Sequence, residues 1–214
     1  MQTATFIKIC GLTRSSDITE AAAAGANYVG FVLYRHSPRY IPLETVSKLC
    51  LLLPPEIKPV LLFVNAHFAE VQSARQALPH AVLQFHGDET PEQCLELAHG
   101  MPFWRAIRMQ EDTNLSLLAV QYEGAQALVL DAHVQGYGGG GKVFDWSWVP
   151  QDLSKRIILS GGLNPRNVAD GIHQIRPWAV DVSSGVEESK GIKSPELMHQ
   201  FCQAVRHADY LNCL

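Results

Sequence analysis

Eight short, nearly continuous apolar runs, separated by helical stretches, constrain this chain more than any other feature. They fall at 6–11 (FIKICG), 28–33 (YVGFVL), 58–65 (KPVLLFVN), 81–87 (AVLQFHG), 103–109 (FWRAIRM), 127–132 (ALVLDA), 156–162 (RIILSGG) and 179–185 (AVDVSSG). Apolar runs without strict alternation are expected of parallel strands covered by helices. Helix starts lie between them. Ser16 or Asp17 can cap DITEAAAAGA, Thr90 with Pro91 opens PEQCLELAH, and Asn164 with Pro165 opens PRNVADGIHQI. SPELMHQFCQAVRHA makes a last amphipathic helix that Ser194 can cap. Strand–helix alternation gives a parallel sheet. Eight units of about 20–25 residues fit a (β/α)8 TIM barrel, with the whole chain, 1–214, as a single domain. A doubly wound open sheet is the alternative that periodicity leaves open.

Bulk properties narrow the function. The chain has 214 residues, and its net charge of −4 argues against nucleic acid as a partner, because polyanion binders carry a basic face. No apolar run reaches the roughly 18 residues of a membrane span, so no membrane association is expected. The start, MQTATFIKIC, lacks the basic-then-apolar layout of a secretory signal, and the cytoplasm is the expected location. The five cysteines, Cys10, Cys50, Cys94, Cys202 and Cys213, are widely spaced with no C-x-x-C pair, so neither zinc nor a disulfide framework is expected. Cys50 and Cys94 sit in helix-like surroundings and read as small buried hydrophobes.

Polar residues gather at one end of the strands. Cys10 ends the first, HSPR follows the second, His86 ends the fourth and Asp131 the sixth. Ser160, Gly161 and Gly162 end the seventh, and Asp181, Ser183, Ser184 and Gly185 the eighth. In parallel α/β folds the C-terminal strand ends carry the chemistry. The turns SGGLNP and SSGVE suit a phosphate, because glycine admits close backbone approach and helix-start amides favour anions. GYGGGGK is not a nucleotide loop, since Val143 follows Lys142 where Ser or Thr is required. A mobile loop over the site suits it better.

Along the first strand, Lys8 and Cys10 share one face and Ile7 and Ile9 the other. The apolar pair should face the helices, leaving Lys8 and Cys10 to the barrel axis. A buried lysine needs a partner, and Asp181 on the adjoining eighth strand is the candidate. Cys10 at the rim is a general base, a nucleophile or an inert core thiol. Proton exchange near neutrality requires the site to lower its pKa. Pairing of Cys10 with His86 is disfavoured by the separation of strands one and four.

Taken together, KICGLT, GFVLYRHSPRY, LLFVN, LQFHGDE, LVLDA, GGGGKVFDW, LSGGLNPRNV and DVSSGVEESKGIK resemble, in order and spacing, the phosphoribosylanthranilate isomerase family of tryptophan biosynthesis. The resemblance implies the barrel, and an Amadori rearrangement of N-(5-phosphoribosyl)anthranilate, a phosphorylated sugar–anthranilate, to 1-(2-carboxyphenylamino)-1-deoxyribulose 5-phosphate. It implies no cofactor, no metal and no obligate protein partner. It puts the general base on Cys10, the general acid on Asp131 and the anthranilate carboxylate on Arg39, with Gly11 leaving room for substrate beside the thiol. The phosphate falls to Gly161, Gly162, Ser183, Ser184 and Gly185, with Asp181 nearby. His86 lies near substrate or is a satisfied structural histidine. Asp88 and Glu89 belong to the start of the next helix. The chain departs from the family at Gly140, where a loop threonine is usual, at Phe85, where leucine is common, and at Ser194, where an acidic residue is usual.

Other assignments fit less well. Indole-glycerol-phosphate synthase wants a catalytic lysine at a strand end, and Lys8 lies one layer below the rim. The histidine-pathway isomerase resembles a pair of aspartates, and Cys10 occupies the first position. A non-catalytic phosphometabolite-binding barrel needs neither Cys10 nor Asp131. A redox sensor wants a second cysteine at a strand end.

Overall fold

The computed structural model describes residues 4–132 and 143–212. The GYGGGGK loop with Gly140 and Lys142 falls outside them, as does Cys213. Eight strands form the sheet: β1 (Phe6–Cys10), β2 (Tyr28–Val32), β3 (Lys58–Phe63), β4 (Val82–Phe85), β5 (Phe103–Met109), β6 (Ala127–Ala132), β7 (Ile157–Leu159) and β8 (Ala179–Val182). All eight pair in parallel, in chain order, and β8 returns to β1 to close a barrel. Closure removes the open-sheet alternative.

Helices follow most strands: α1 (Ser15–Ala24), α2 (Leu43–Cys50), α3 (Phe68–Ala77), α4 (Pro91–Ala98), α5 (Leu115–Gln121), α6 (Val168–Ile175) and α7 (Pro195–Asn212). Past β6 the described chain holds only a 3-10 turn, Trp146–Trp148, matching the weak helical signal there. Two short strands, β9 (Glu187–Ser189) and β10 (Ile192–Lys193), make a hairpin beyond β8. No described helix is long and apolar enough to cross a membrane.

Two helix starts differ from the sequence expectation. The first helix begins at Ser15 with Arg14 in the cap position, and Asp17 lies inside the first turn, paired to Arg14 at 2.7 Å. An ion pair has replaced the cap. The sixth begins only at Val168. Ahead of it, Asn167 accepts from the Asn164 amide at 2.8 Å, and Asn164 accepts from the Arg166 amide at 2.9 Å. Both asparagines also donate to the Gly162 carbonyl. These local bonds compete with the helix and win. Thr90 caps α4 as expected, accepting from Gln93, and Ser194 accepts from Leu197 at the start of α7.

The core has two layers. Outward strand residues such as Ile9, Phe31, Leu61, Phe85 and Leu130 pack against the helices. Phe85 is fully buried there between Phe63 and Phe103. Inside the barrel, Tyr28, Val60, Val82, Trp104, Val129, Ile158 and Ala179 fill the N-terminal half, backed by Phe6 and Trp178. Cys10, Val32, Leu62 and Val64 form a small apolar set toward the other end.

Candidate active site

The site begins with strand register. β1 pairs β8 with Lys8 opposite Asp181. Both side chains enter the barrel, and Lys8 Nζ donates to Asp181 Oδ2 at 2.7 Å with Lys8 fully buried. Burial pulls the Lys8 pKa down, but the Asp181 carboxylate, helped by Cys10, more than reverses this and raises it. Asp181 is thus Lys8's partner, as its position on the eighth strand suggested. Its Oδ1 is buried without a hydrogen-bond partner among the described residues.

One layer higher stands Cys10, 6 % exposed and in register with Gly30 of β2. A Cβ on Gly30 would lie 2.6 Å from the Cys10 sulfur, so glycine there makes room for the thiol. Burial pushes the Cys10 thiol up from its ordinary value, against the opposing pull of Lys8 and Lys193. Burial thus opposes the lowering that proton exchange near neutrality requires, and the two lysines pull toward it.

Asp131 projects from β6. Its Oδ2 lies 3.1 Å from His86 Nε2, and His86 Nδ1 lies 3.2 Å from Gln84 Nε2 in β4. His86 thus pairs with Asp131 rather than with Cys10. Gly161, at φ +78, lies against the same carboxylate: a Cβ on it would come within 2.8 Å of Asp131 Oδ1. Asp181 feels the charges of both Asp131 and His86 in addition to Lys8. Cys10 feels Asp181 as well. Base and acid candidates therefore share one polar floor.

The His86 loop is held from below. Glu89 is buried and accepts from Arg105 at 3.1 Å, from the Asn65 amide at 2.7 Å and from the Gly87 amide at 2.9 Å. Asp88 pairs with Arg108 at 3.2 Å. Arg108 Nη2 also donates to the His86 carbonyl at 3.3 Å. Glu89 and Asp88 precede α4 and organise the loop; they are not part of the helix start.

Arg39, in the loop after β2, is buried and makes a bidentate pair with Glu187 of β9: Nε to Oε1 at 2.6 Å and Nη2 to Oε2 at 2.7 Å. Its stem crosses directly over Gly11, where a Cβ would collide with Arg39 Cδ. Gly11 also sits at φ +79, a conformation other residues adopt at a cost. The space above Gly11 is thus taken by Arg39's stem. Fully buried Lys193 donates to Glu187 at 2.8 Å and to the Ser183 carbonyl at 3.0 Å. Burial pushes Glu187 up, but Arg39 and Lys193 together hold it below the ordinary carboxylate value.

Ser183 donates its hydroxyl to the Cys10 carbonyl at 3.0 Å. Ser184 and Gly185 begin a 3-10 turn, and Gly185 is pressed against Leu163: a Cβ would collide with the Leu163 carbonyl and come within 3.0 Å of Asn164 Cα. The turns after β7 and β8 therefore touch through Leu163, Asn164 and Gly185.

Gln84, Glu187 and Lys193 were not singled out from sequence. Gln84 had a signal: it lies two residues before His86 and so faces the barrel interior, where a polar side chain needs a reason. Glu187 and Lys193 gave none, because their hairpin has no apolar pattern. Among the described residues, no group of His, Cys, Asp or Glu is arranged to hold a metal ion.

The model of the N-(5'-phosphoribosyl)anthranilate isomerase family matches residues 7–204. A relative of that name from Leptothrix cholodnii is 57% identical over 205 residues, covering 96% of this chain and 92% of its own. The crystal structure of phosphoribosyl anthranilate isomerase from Thermotoga maritima is 35% identical with a TM-score of 0.88, covering 95% of this chain and 99% of that one. Another, in complex with reduced 1-(O-carboxyphenylamino)-1-deoxyribulose 5-phosphate, is 32% identical with a TM-score of 0.84, covering 95% and 99%. On barrel, strand-end residues and these matches together, the chain belongs to the N-(5'-phosphoribosyl)anthranilate isomerase family.

Proposed function

We propose that this chain converts N-(5-phosphoribosyl)anthranilate to 1-(2-carboxyphenylamino)-1-deoxyribulose 5-phosphate, with Asp131 as general acid and Cys10 as general base. The observation that carries the reading is the placement of one carboxyl and one thiol on separate walls of the same barrel mouth, above a shared charged floor. The relative that binds a reduced form of this ketose phosphate supports the substrate class.

The chemistry follows from the groups. Asp131 gives a proton to the furanose ring oxygen. The bond from that oxygen to C1 breaks as the anilino nitrogen's lone pair forms C1=N. The resulting iminium acidifies the hydrogen on C2. Cys10, as thiolate, removes it, and the C–H electrons form C1=C2 while C1=N returns its pair to nitrogen. The enolamine then gains a proton at C1 and loses one from the C2 hydroxyl, leaving the ketose. Cys10 must first lose its own proton, and the Lys8 and Lys193 ammonium groups favour that step.

Arg39, braced by Glu187, takes the anthranilate carboxylate, a match of planar fork to planar anion. The phosphate falls to two neighbouring turns, Gly161 and Gly162 on one and Ser183, Ser184 and Gly185 on the other. Asp181 Oδ1 accepts from a sugar hydroxyl while Oδ2 holds Lys8. The substrate's fluorescence makes the test direct. With substrate generated in situ, wild type should clear the signal, and Cys10→Ala and Asp131→Ala should each slow it by about 10²–10⁴-fold. A folded wild type that leaves the signal untouched would sink the assignment.

A further inference from the structure

Gln84 lies inside β4, fully buried, in register between Leu62 of β3 and Trp104 of β5. An apolar side chain of that size would fill the position without cost. Instead a primary amide sits there with its Oε1 buried and unpartnered among the described residues. Leaving a buried carbonyl unsatisfied is destabilising, so the other end of the amide must have work to do.

That end faces His86. The two contacts, Gln84 Nε2 to His86 Nδ1 at 3.2 Å and His86 Nε2 to Asp131 Oδ2 at 3.1 Å, form one chain whose direction the ring tautomer sets. Once Asp131 has given its proton to the sugar, its carboxylate offers only lone pairs, so the ring nitrogen facing it must carry the hydrogen. A neutral imidazole then presents a lone pair at Nδ1, and only the NH2 end of the amide can meet a lone pair. We propose that Gln84 is a positioning residue. It holds His86 in the Nε2–H tautomer, so that His86 donates to Asp131 and cannot take Asp131's proton. The proposal rests on the reading of Asp131 as the general acid.

The consequence is directional. A hydrogen bond from His86 to Asp131 strengthens as Asp131 becomes a carboxylate, because bonds to charged acceptors are the stronger ones. It therefore favours the state that forms as the proton leaves for the sugar, and adds to transition-state rather than ground-state stabilisation. Without the amide N–H the ring is free to carry hydrogen at Nδ1. Its Nε2 lone pair then accepts the Asp131 proton and holds it back from substrate. The other charged groups near this chain are Asp181 with its partner Lys8, and Arg108, which bonds the His86 carbonyl. None of these reaches Nδ1.

The test combines nitrogen NMR of full-length, histidine-labelled protein at about pH 8 with kinetics. The His86 pair, identified among the nine histidines by its absence in His86→Gln, should show Nδ1 of pyridine type and Nε2 of pyrrole type. Pyrrole-type Nδ1 in wild type overturns the proposal without needing any variant to fold. In Gln84→Met the ring should become a tautomer mixture, kcat should fall about tenfold and KM stay within about twofold. A Gln84→Met ring with the wild-type tautomer overturns the proposal whatever the rate does. In an Asp131→Asn background the Gln84→Met loss should vanish, since groups acting through one another are not additive. Losses that multiply show that Gln84 acts elsewhere. If wild type does not turn the substrate over at all, the functional reading falls, and the ring tautomer alone decides the positioning claim.

Discussion

The two ends of the barrel interior are built on opposite principles. The N-terminal half is an aromatic plug. Phe6, Tyr28, Trp104 and Trp178 meet at ring separations of 5.0–6.1 Å in edge-on and tilted arrangements. The C-terminal half is crowded with charge: Lys8 and Asp181, then Cys10, His86 and Asp131, then Arg39, Glu187 and Lys193 at the rim. Among the described residues, the buried acceptors without partners, Gln84 Oε1 and Asp181 Oδ1, lie on the charged side, while Trp104 Nε1 is the plug's own donor without a partner there. The plug supplies apolar burial, which is non-directional and stabilising. The mouth holds polar groups whose bonds are only partly made, and that unfinished state is what a substrate can complete.

The comparison can be broken by mutation. The largest effects on stability should come where the halves meet. Lys8→Met leaves Asp181 buried and unpaired, and should cost about 3–5 kcal/mol in urea unfolding. Combining it with Asp181→Leu should recover most of that. Trp104→Ala should cost a similar amount, about 3–5 kcal/mol, by leaving a cavity in the plug. Its kcat per folded molecule should stay within about twofold of wild type, since no plug side chain hydrogen-bonds Lys8, His86 or Asp131 among the described residues. A rate loss as large as the stability loss would erase the distinction between the halves.

At the rim, Glu187→Gln should raise KM about tenfold with little change in kcat, because Arg39 loses its charged brace and its aim. A kcat drop at constant KM would assign Arg39 to the chemical step instead. The smallest effect is on pH. Burial raises the thiols of Cys10, Cys50, Cys94 and Cys202, the last three to about 12, 12 and 11. A raised folded pKa means that above the ordinary thiol range the unfolded chain releases protons the folded one retains. Melting temperature should therefore fall as pH rises from there toward 11–12, and Cys94→Ala should flatten the slope. A slope unchanged in Cys94→Ala would mean that other groups dominate the alkaline limb.

How much of this was legible in the sequence follows the same division. The strands were readable because both layers of the barrel are largely apolar, so each strand is a nearly continuous apolar run, as in KPVLLF of β3. The Lys8–Asp181 pair was readable because strand parity placed a lysine inside and closure supplied its neighbour. Helix starts were readable where a hydroxyl did the capping, as at Thr90, and misread where a side chain was taken by another partner, the Arg14 guanidinium for Asp17 and the Asn164 amide for Asn167. Arg39's partner was not readable. The hairpin carrying Glu187 and Lys193 has neither apolar alternation nor length, and its place under the β2 loop is a tertiary fact. Nor did sequence disclose that the Cys10 thiol is pushed up, since that depends on how deeply β1 sits against Gly30.

The pair joining β1 to β8 spans 173 positions of the chain. At synthesis rates of about 5–20 residues per second, β1 emerges many seconds before its partner strand exists. Until then the strand bearing Cys10 has one open edge, and Lys8 has no counter-charge. Joining the first strand to the last is the least local pairing in the barrel sheet, and such steps are slow. The thiol should therefore be freely reactive throughout that interval. Its loss of reactivity toward a pulse of alkylating reagent would time the moment the ring of strands shuts.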